Sequence, residues 1–147
     1  MAVRVVVHIN ASPERVFDAA ADHETFLRSK DGTTCMIVRA GATERNGLGC
    51  IREVRAGRRA RYVEEIVAWD RPNGFEYLIR ETSLPIRHEG SRLAFIPRGT
   101  GTDVTWTARF AVTVPVIGGL LRVWLDHLLT RAFTEFLRAA KQKLEAR

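Results

Sequence analysis

The feature that most constrains the fold is the pair of segments that bracket the chain. A short strand-like run at residues 3–10 leads directly into a capped helix, and one long apolar helix closes the chain at about residues 116–145. Six strand-like segments lie between them. The closing helix carries more apolar side chains than it needs to cover one face of a small sheet. The pattern therefore predicts a sheet wrapped around this helix, with space for a ligand between them.

Two short helices are expected after the first strand. Ser12 is a suitable N-cap because its hydroxyl accepts a hydrogen bond from an unpaired amide, and Pro13 suits the first helical position because it has no amide to leave unpaired. Asp22 is a second candidate cap, which would start a short helix that ends before residues 30–32.

The middle of the chain alternates with the period of β-strands. The connections between the strands are too short to hold crossover helices, so the sheet must be antiparallel. With the first strand the sheet has seven strands, and the fold class is α+β. The six later strands are predicted at residues 35–39, 49–55, 61–69, 75–80, 88–96 and 102–114.

Length and composition fit an ordinary globular protein. The chain has 147 residues, of which 46% are hydrophobic and 27% charged, so we expect one domain that buries its own core. The first residues lack the pattern of a signal peptide. The longest apolar stretches are interrupted by Pro115, Gly118, Gly119 and Arg122, well short of a membrane span. The sequence predicts a cytoplasmic protein without stable membrane insertion.

The sequence offers no metal or cofactor signature. Cys35 and Cys50 form no C-x-x-C pair and are expected to be buried thiols. No phosphate-binding glycine loop, H-E-x-x-H motif or nucleophile triad is found. We expect neither a metal nor a cofactor. The histidines are scattered along the chain, at His8, His23, His88 and His127.

The formal net charge is +6, and much of the excess lies around one probable hairpin turn at Ala56 and Gly57. A solvated charge run that protects a sheet edge is one interpretation, and a surface for an anionic partner or a membrane is the other. No aromatic residue interleaves the cluster to stack a base, so nucleic acid is not expected as a partner. The cluster consists of Arg52, Arg55, Arg58, Arg59 and Arg61.

The order of the elements resembles that of the START-like, or SRPBCC, superfamily, which includes the Bet v 1-like proteins with a helix-grip fold. The polyketide cyclase/dehydrase-like branch is the most similar. The resemblance spans the whole chain. It is carried by residues 9–17 (Ile-Asn-Ala-Ser-Pro-Glu-Arg-Val-Phe), by Leu84-Pro85 followed by His88-Glu89-Gly90, and by residues 101–106 (Gly-Thr-Asp-Val-Thr-Trp).

The resemblance implies a single ligand-binding domain over residues 1–147. Its cavity would lie between the concave sheet and the long helix and would hold a lipid, a polyketide or a similar small hydrophobic molecule. The aromatic residues Trp69, Trp106, Phe110 and Trp124 also favour an apolar ligand. The residues expected to line the cavity are Phe26, Tyr62, Tyr77, His88, Trp106, Phe110, Leu121, Leu125 and Leu128.

An enzyme of the cyclase or dehydratase type is the alternative function. His88, Tyr77 and Glu64 are its candidate acid/base residues, because a phenol can polarise a carbonyl and a desolvated carboxylate can move a proton. Each also has a structural interpretation. His88 would be bonded to the backbone or a loop at a strand end, and Tyr77 would offer a packing surface with its hydroxyl at the edge. Glu64 and Glu65 are adjacent, so one of them points to each face of the sheet. Arg80 and Arg92 are expected in solvent rather than as anchors for a ligand carboxylate.

The two halves of the closing helix are expected to bury different faces, because its apolar stripe drifts around the axis. The C-terminal half should pack on the sheet. The N-terminal half should face the cavity or a partner chain, so a homodimer is possible. His127, Arg131 and Glu135 follow one another at four-residue steps and are expected to form a surface row.

Overall fold

The computed structural model describes residues 1–146, and it confirms the predicted α+β class and the predicted order of elements. Each predicted strand is present, with ends that differ by one or two residues. The described elements are β1 (Ala2–Ile9), α1 (Pro13–Ala21), α2 (His23–Phe26), β2 (Thr34–Arg39), β3 (Ile51–Ala56), β4 (Ala60–Asp70), β5 (Gly74–Thr82), β6 (Ile86–Arg98), β7 (Gly101–Val112) and α3 (Gly118–Glu145).

The seven strands form one curved antiparallel sheet in the order β1-β7-β6-β5-β4-β3-β2. Consecutive strands are neighbours from β2 to β7, and β1 joins the far edge beside β7. The register places Tyr77 of β5 opposite both Ile66 of β4 and Ser91 of β6. Because directly opposed residues share a face of the sheet, these three side chains lie on the inner face together.

Helix α1 begins as the sequence predicts. The Ser12 hydroxyl accepts a hydrogen bond from the Arg15 amide at 3.3 Å, and Pro13 occupies the first turn. The helix buries Val16 and Phe17 against the sheet. Asp22 is the N-cap residue of α2 but its side chain makes no capping hydrogen bond. The prediction of a side-chain cap was therefore wrong for Asp22, although the position of the helix start was right.

Helix α3 packs against β1, β7 and α1. Its buried side chains are Leu125, Phe133 and Leu137, and the Phe133 ring stacks on the Trp106 indole with their centroids 3.9 Å apart. The helix thus packs over the β1–β7 edge of the sheet, through Leu125 in its N-terminal half and through Phe133 and Leu137 in its C-terminal half. Among residues 1–146, no helix has the combination of length and apolarity needed to cross a membrane.

Candidate functional site

Three polar side chains from three different elements meet inside the molecule. They are His23 of α2, Arg52 of β3 and Glu64 of β4, whose exposed fractions are 0%, 2% and 6%. Arg52 and Glu64 lie opposite each other in the β3–β4 ladder, and α2 places His23 against them from the side. Burying polar groups costs free energy unless each has a hydrogen-bond partner. These three side chains are partners of one another, so the cluster is a specific part of the interior.

Hydrogen bonds define the protonation of the cluster. The Arg52 Nε donates to Glu64 Oε1 at 2.8 Å, and its Nη1 lies 2.9 Å from His23 Nδ1. A guanidinium only donates, so Nδ1 must accept, and the proton of the ring sits on Nε2, which donates to the Asn46 carbonyl at 2.9 Å. Burial and the adjacent Arg52 charge lower the pKa of His23 to about 3. His23 is therefore a neutral imidazole that orients the guanidinium.

The Arg52–Glu64 pair is not symmetrical. Glu64 raises the pKa of Arg52 despite the opposing effect of burial, so Arg52 is always charged. Burial raises the pKa of Glu64, and the attraction of Arg52 opposes that rise. Glu64 Oε2 makes no hydrogen bond within residues 1–146. Every fully buried side-chain oxygen or nitrogen in this range has a partner, so Oε2 is not fully buried. Oε2 therefore has free acceptor capacity.

A second group of polar contacts lies next to this pair. The Arg52 guanidinium carbon lies 4.6 Å from the centre of the Tyr77 ring. The Tyr77 hydroxyl accepts a hydrogen bond from Trp106 Nε1 at 3.1 Å, and burial raises the pKa of this phenol. The Tyr77 ring also stacks against the His88 ring with their centroids 5.9 Å apart. Tyr77 thus links the charged pair to Trp106 and His88.

His88 fills a gap in the sheet. The β5–β6 ladder ends at Tyr77 and Ser91, and beyond it the Ile79 amide donates to His88 Nδ1 at 2.9 Å. The other ring nitrogen, Nε2, therefore carries the proton and lies 2.6 Å from the Ser91 hydroxyl. Burial lowers the pKa of His88 to about 4. Gly90, with φ of 144°, allows the bulge that turns His88 toward this gap.

Around this polar group the inner face of the sheet is apolar but incompletely covered. Ile37 lies opposite Arg52, and Ile79 lies opposite Glu64, so both share the face of the charged pair. Their side chains are only half-buried because α3 packs mainly on β1 and β7, which lie toward the opposite edge of the sheet. The half-buried apolar residues that pack against the core between β2 and α3 include Cys35, Ile37, Tyr62, Ile79, Leu84, Ile86, Val112, Leu121 and Leu129.

The structure brings most of the expected lining residues close together. Buried Phe26 and Tyr77 both contact Trp106, and Phe110 lies opposite His88 in the β6–β7 ladder. The Phe26, Tyr77, Trp106, Phe110 and Leu125 side chains are buried, those of Tyr62, His88 and Leu121 are half-buried, and that of Leu128 is 39% exposed. Burial raises the pKa of Tyr62 to about 12.

Two interpretations of individual residues were wrong. The sequence groups Arg52 with a solvated arginine cluster, but Arg52 is buried and paired, whereas the other four arginines are at least partly exposed. The sequence also places Trp124 with the aromatic residues around the interior, but Trp124 is 53% exposed. Arg80 and Arg92 are exposed as expected.

Arg52 and His23 are the residues that sequence reasoning missed. Strand parity held a signal for Arg52, because buried Cys50 and Val54 lie two residues away on either side, on the same face. Nothing in the sequence indicated that His23 would contact this strand. Within the described part of the chain, no three His, Cys, Asp or Glu side chains are grouped as metal ligands.

Two surface pockets lie elsewhere. One of about 380 Å³ lies between β1 and the end of α3, and one of about 290 Å³ lies beside α1 and Trp69. Neither contains any of the nine residues expected to line the interior. Both are open to solvent and lined largely by charged side chains, so the inner face of the sheet is the better candidate site.

A curved antiparallel sheet gripping a long C-terminal helix, with a polar group set among apolar side chains, defines a ligand-binding helix-grip fold of the START-like, Bet v 1-like type. The chain belongs to the polyketide cyclase/dehydrase and lipid transport family, whose model matches residues 1–145. Curated proteins give no match to the chain.

Solved structures of other proteins have the same fold. The protein TTHA0849 from Thermus thermophilus is similar with a TM-score of 0.80 and 28% identity, over 99% of this chain and 98% of that chain. A START superfamily protein from Mycobacterium smegmatis gives a TM-score of 0.76 and 15% identity, over 97% and 98% of the two chains. Ara h 8.0201 gives 0.70 and 13%, over 100% and 99%.

Proposed function

We propose that this protein binds a small hydrophobic ligand, such as a lipid or a polyketide, between the inner face of β2–β6 and the N-terminal half of α3. The observation that carries the proposal is the set of apolar side chains that face inward there and yet remain half-buried. Apolar groups that an ordinary core would cover completely gain about 25 cal/mol per Å² when a ligand covers them. The family's association with lipid transport and polyketide chemistry supports the same ligand class.

The ligand has one polar group in this proposal. The free Oε2 of Glu64 accepts a hydrogen bond, and the half-buried Tyr62 hydroxyl, which has no partner within residues 1–146, donates or accepts one. A hydroxyl or phenol on an otherwise apolar molecule matches both. A ligand carboxylate does not, because Glu64 would repel it and His23 already orients Arg52 toward Glu64.

The first experiment is native mass spectrometry of freshly purified protein, followed by solvent extraction and identification of what is released. A stoichiometric apolar adduct that carries a hydroxyl supports the proposal. An adduct that is wholly polar contradicts it.

A second experiment locates the site with a matched pair of variants. Leu121 is half-buried among the lining residues, whereas its neighbour Leu120 is 78% exposed. We expect Leu121→Arg to weaken the binding of the uncharged dye N-phenyl-1-naphthylamine by about tenfold or more, since a charge in the site forfeits apolar contact. Leu120→Arg adds the same charge one residue away and should bind the dye as the parent protein does. Equal effects of the two variants would contradict the location of the site.

The second candidate function is that of a cyclase or dehydratase, and the environment of Glu64 favours it. A carboxyl group whose pKa is raised by burial, with one oxygen free and a phenol nearby, is suited to move a proton. In a dehydration, Glu64 would take the α-proton of a β-hydroxyacyl thioester while the β-hydroxyl leaves as water after protonation by Tyr62. The test is turnover of a β-hydroxyacyl N-acetylcysteamine thioester, which Glu64→Gln should abolish while dye binding persists.

His88 and Tyr77 remain candidates in this second function, in supporting roles. The His88 proton on Nε2 and the Tyr77 hydroxyl already have partners, so each is better placed to orient a ligand than to exchange a proton. The proposal treats residues 1–147 as one domain that acts in the cytoplasm on a small molecule, without metal, cofactor or nucleic acid.

A further inference from the structure

The N-terminal half of α3 presents a continuous apolar surface to solvent. Leu120 is 78% exposed, Val123 70% and Trp124 53%, and the residues just before the helix add to them. Most side chains of this size are covered in a folded protein, and an exposed apolar patch of this kind marks an interaction site. We call this surface the α3 apolar face. It consists of Val116, Ile117, Leu120, Val123, Trp124 and Leu128.

Two connected loops place this face beside the arginine-rich hairpin. In the β3–β4 hairpin the Arg59 carbonyl accepts a hydrogen bond from the Ser83 hydroxyl of the β5–β6 turn at 2.6 Å. In the same turn the Pro85 carbonyl accepts from the Thr113 amide, which leads within four residues to Ile117. The hairpin tip, the turn and the start of α3 therefore share one end of the molecule.

The β3–β4 hairpin at this end carries more arginines than acidic partners for them. Glu53 is the acidic partner of both Arg55 and Arg61, at 2.8 and 3.0 Å. Arg58 and Arg59 at the hairpin tip are exposed, and no carboxylate of residues 1–146 lies within 4.0 Å of them.

The start of α3 and the β5–β6 turn continue this charge. Arg122 on α3 is also exposed and unpaired within residues 1–146, and Arg87 lies 3.9 Å from Glu89. The remaining exposed acidic residues near this end are Asp31, Glu81 and Asp126. Cations adjoin the apolar face on the hairpin side and on the helix itself.

We propose that this end of the molecule docks on the surface of an anionic lipid bilayer. The α3 apolar face enters the boundary between headgroups and acyl chains, with Trp124 at headgroup depth, and Arg58, Arg59 and Arg122 lie against the lipid phosphates. An apolar helix face with a basic flank is the combination that binds such surfaces, since each half alone is weak. This inference goes beyond the ligand-binding proposal and does not depend on it.

The test is cosedimentation of the full chain with vesicles of equal parts phosphatidylglycerol and phosphatidylcholine, compared with phosphatidylcholine alone. We expect binding to the anionic vesicles only, and weaker binding as salt rises. The double variant Arg58→Gln/Arg59→Gln should lower the partition coefficient by about 10- to 30-fold, as expected for the loss of two surface cations. Leu120→Glu/Val123→Glu should lower it by about tenfold or more.

The control removes the same charge elsewhere. Arg4 and Arg92 are exposed on the opposite face of the sheet, on either side of Thr107 in the β1–β7–β6 ladders. The partition coefficient of Arg4→Gln/Arg92→Gln on anionic vesicles should lie within about twofold of that of the parent protein. This result is expected if binding depends on the arginines of the docking end rather than on the net charge of the protein. A loss equal to that of Arg58→Gln/Arg59→Gln would overturn the proposal.

Trp124 gives a direct readout of insertion. It is the most exposed of the three tryptophans, so brominated lipids should quench its fluorescence, and Trp124→Phe should remove most of that quenching. Binding that ignores lipid charge, or no binding, would overturn the proposal. A third result would also overturn the proposal: sedimentation shows that the parent protein is a dimer, and Leu120→Glu/Val123→Glu converts it to a monomer without changing vesicle binding. A second copy of the chain would then cover the α3 apolar face. Dye binding that persists in Leu120→Glu/Val123→Glu separates this test from the ligand site.

Discussion

Arg52 Nε and Glu64 Oε1 form an ion pair at 2.8 Å on the inner face of the sheet, and the residue next to Glu64 forms a similar pair on the outer face. Glu65 lies 3.1 Å from Arg80, where the arginine side chain is 50% exposed. Two consecutive glutamates thus make the same contact in two environments. Because a buried charge that loses its partner is not compensated by water, the two pairs should respond very differently to mutation.

We predict that Glu64→Gln lowers the free energy of unfolding by about 3 kcal/mol, because it leaves the Arg52 charge buried and unpaired. Glu65→Gln should cost less than about 1 kcal/mol. Denaturant unfolding at neutral pH measures both. The double variant Arg52→Met/Glu64→Leu should be more stable than Glu64→Gln, and a double variant as unstable as the single one would contradict this explanation.

Acid should destabilise the protein through His23. The folded pKa of about 3 lies below the ordinary value of 6.5, so between these values only the unfolded chain takes up the proton. Stability from this group is complete above pH 6.5 and falls as the pH falls, by about 2 kcal/mol at about pH 5. His88, with a pKa of about 4, acts in the same direction but less strongly because it is partly exposed.

The measurement is the free energy of unfolding of the parent protein and of His23→Gln as the pH is lowered from neutral. Glutamine has an acceptor for Arg52 and a donor for the Asn46 carbonyl, but it does not titrate. The variant should therefore show a shallower loss of stability with acid. Identical slopes for the two proteins would show that His23 is not responsible.

His88 should control the protection of one backbone amide. The Ile79 amide donates to His88 Nδ1 because β6 does not pair with β5 at this position. We expect His88→Ala to increase the rate of hydrogen exchange at the Ile79 amide by about tenfold or more, as measured by NMR.

Ser91→Ala is the control for this effect, because it removes the partner of Nε2 and leaves the Ile79 bond in place. It should change the exchange at Ile79 little. Unchanged exchange in His88→Ala would mean that water replaces the ring.

The stack of Phe133 on Trp106 should be the main attachment of α3. Phe133 is buried, and its ring is parallel to the indole at a centroid distance of 3.9 Å. Phe133→Ala should cost about 3–5 kcal/mol through lost burial and the cavity it leaves. Leu128→Ala, on the same helix but at a 39% exposed position, should cost less than about 1 kcal/mol. Thermal unfolding of the two variants tests this difference.

The sequence by itself determined the architecture. The cap at Ser12, the alternation of the strands and the short turns between them are local signals, and local signals are enough to specify the order of elements and an antiparallel sheet. The same signals identified Tyr77 and Trp106 as residues of the interior, since large aromatic residues on strands are usually buried.

Only the tertiary structure decided which polar and apolar residues meet. Arg52 is buried because its strand parity matches that of Cys50 and because His23, from a different element, completes its hydrogen bonds. Trp124 is exposed because α3 packs mainly on β1, β7 and α1, and none of these elements covers the face of the helix that carries Trp124. The type of a residue indicates which environment it favours. Whether it is buried or exposed depends on its packing partners, and these come from distant parts of the chain.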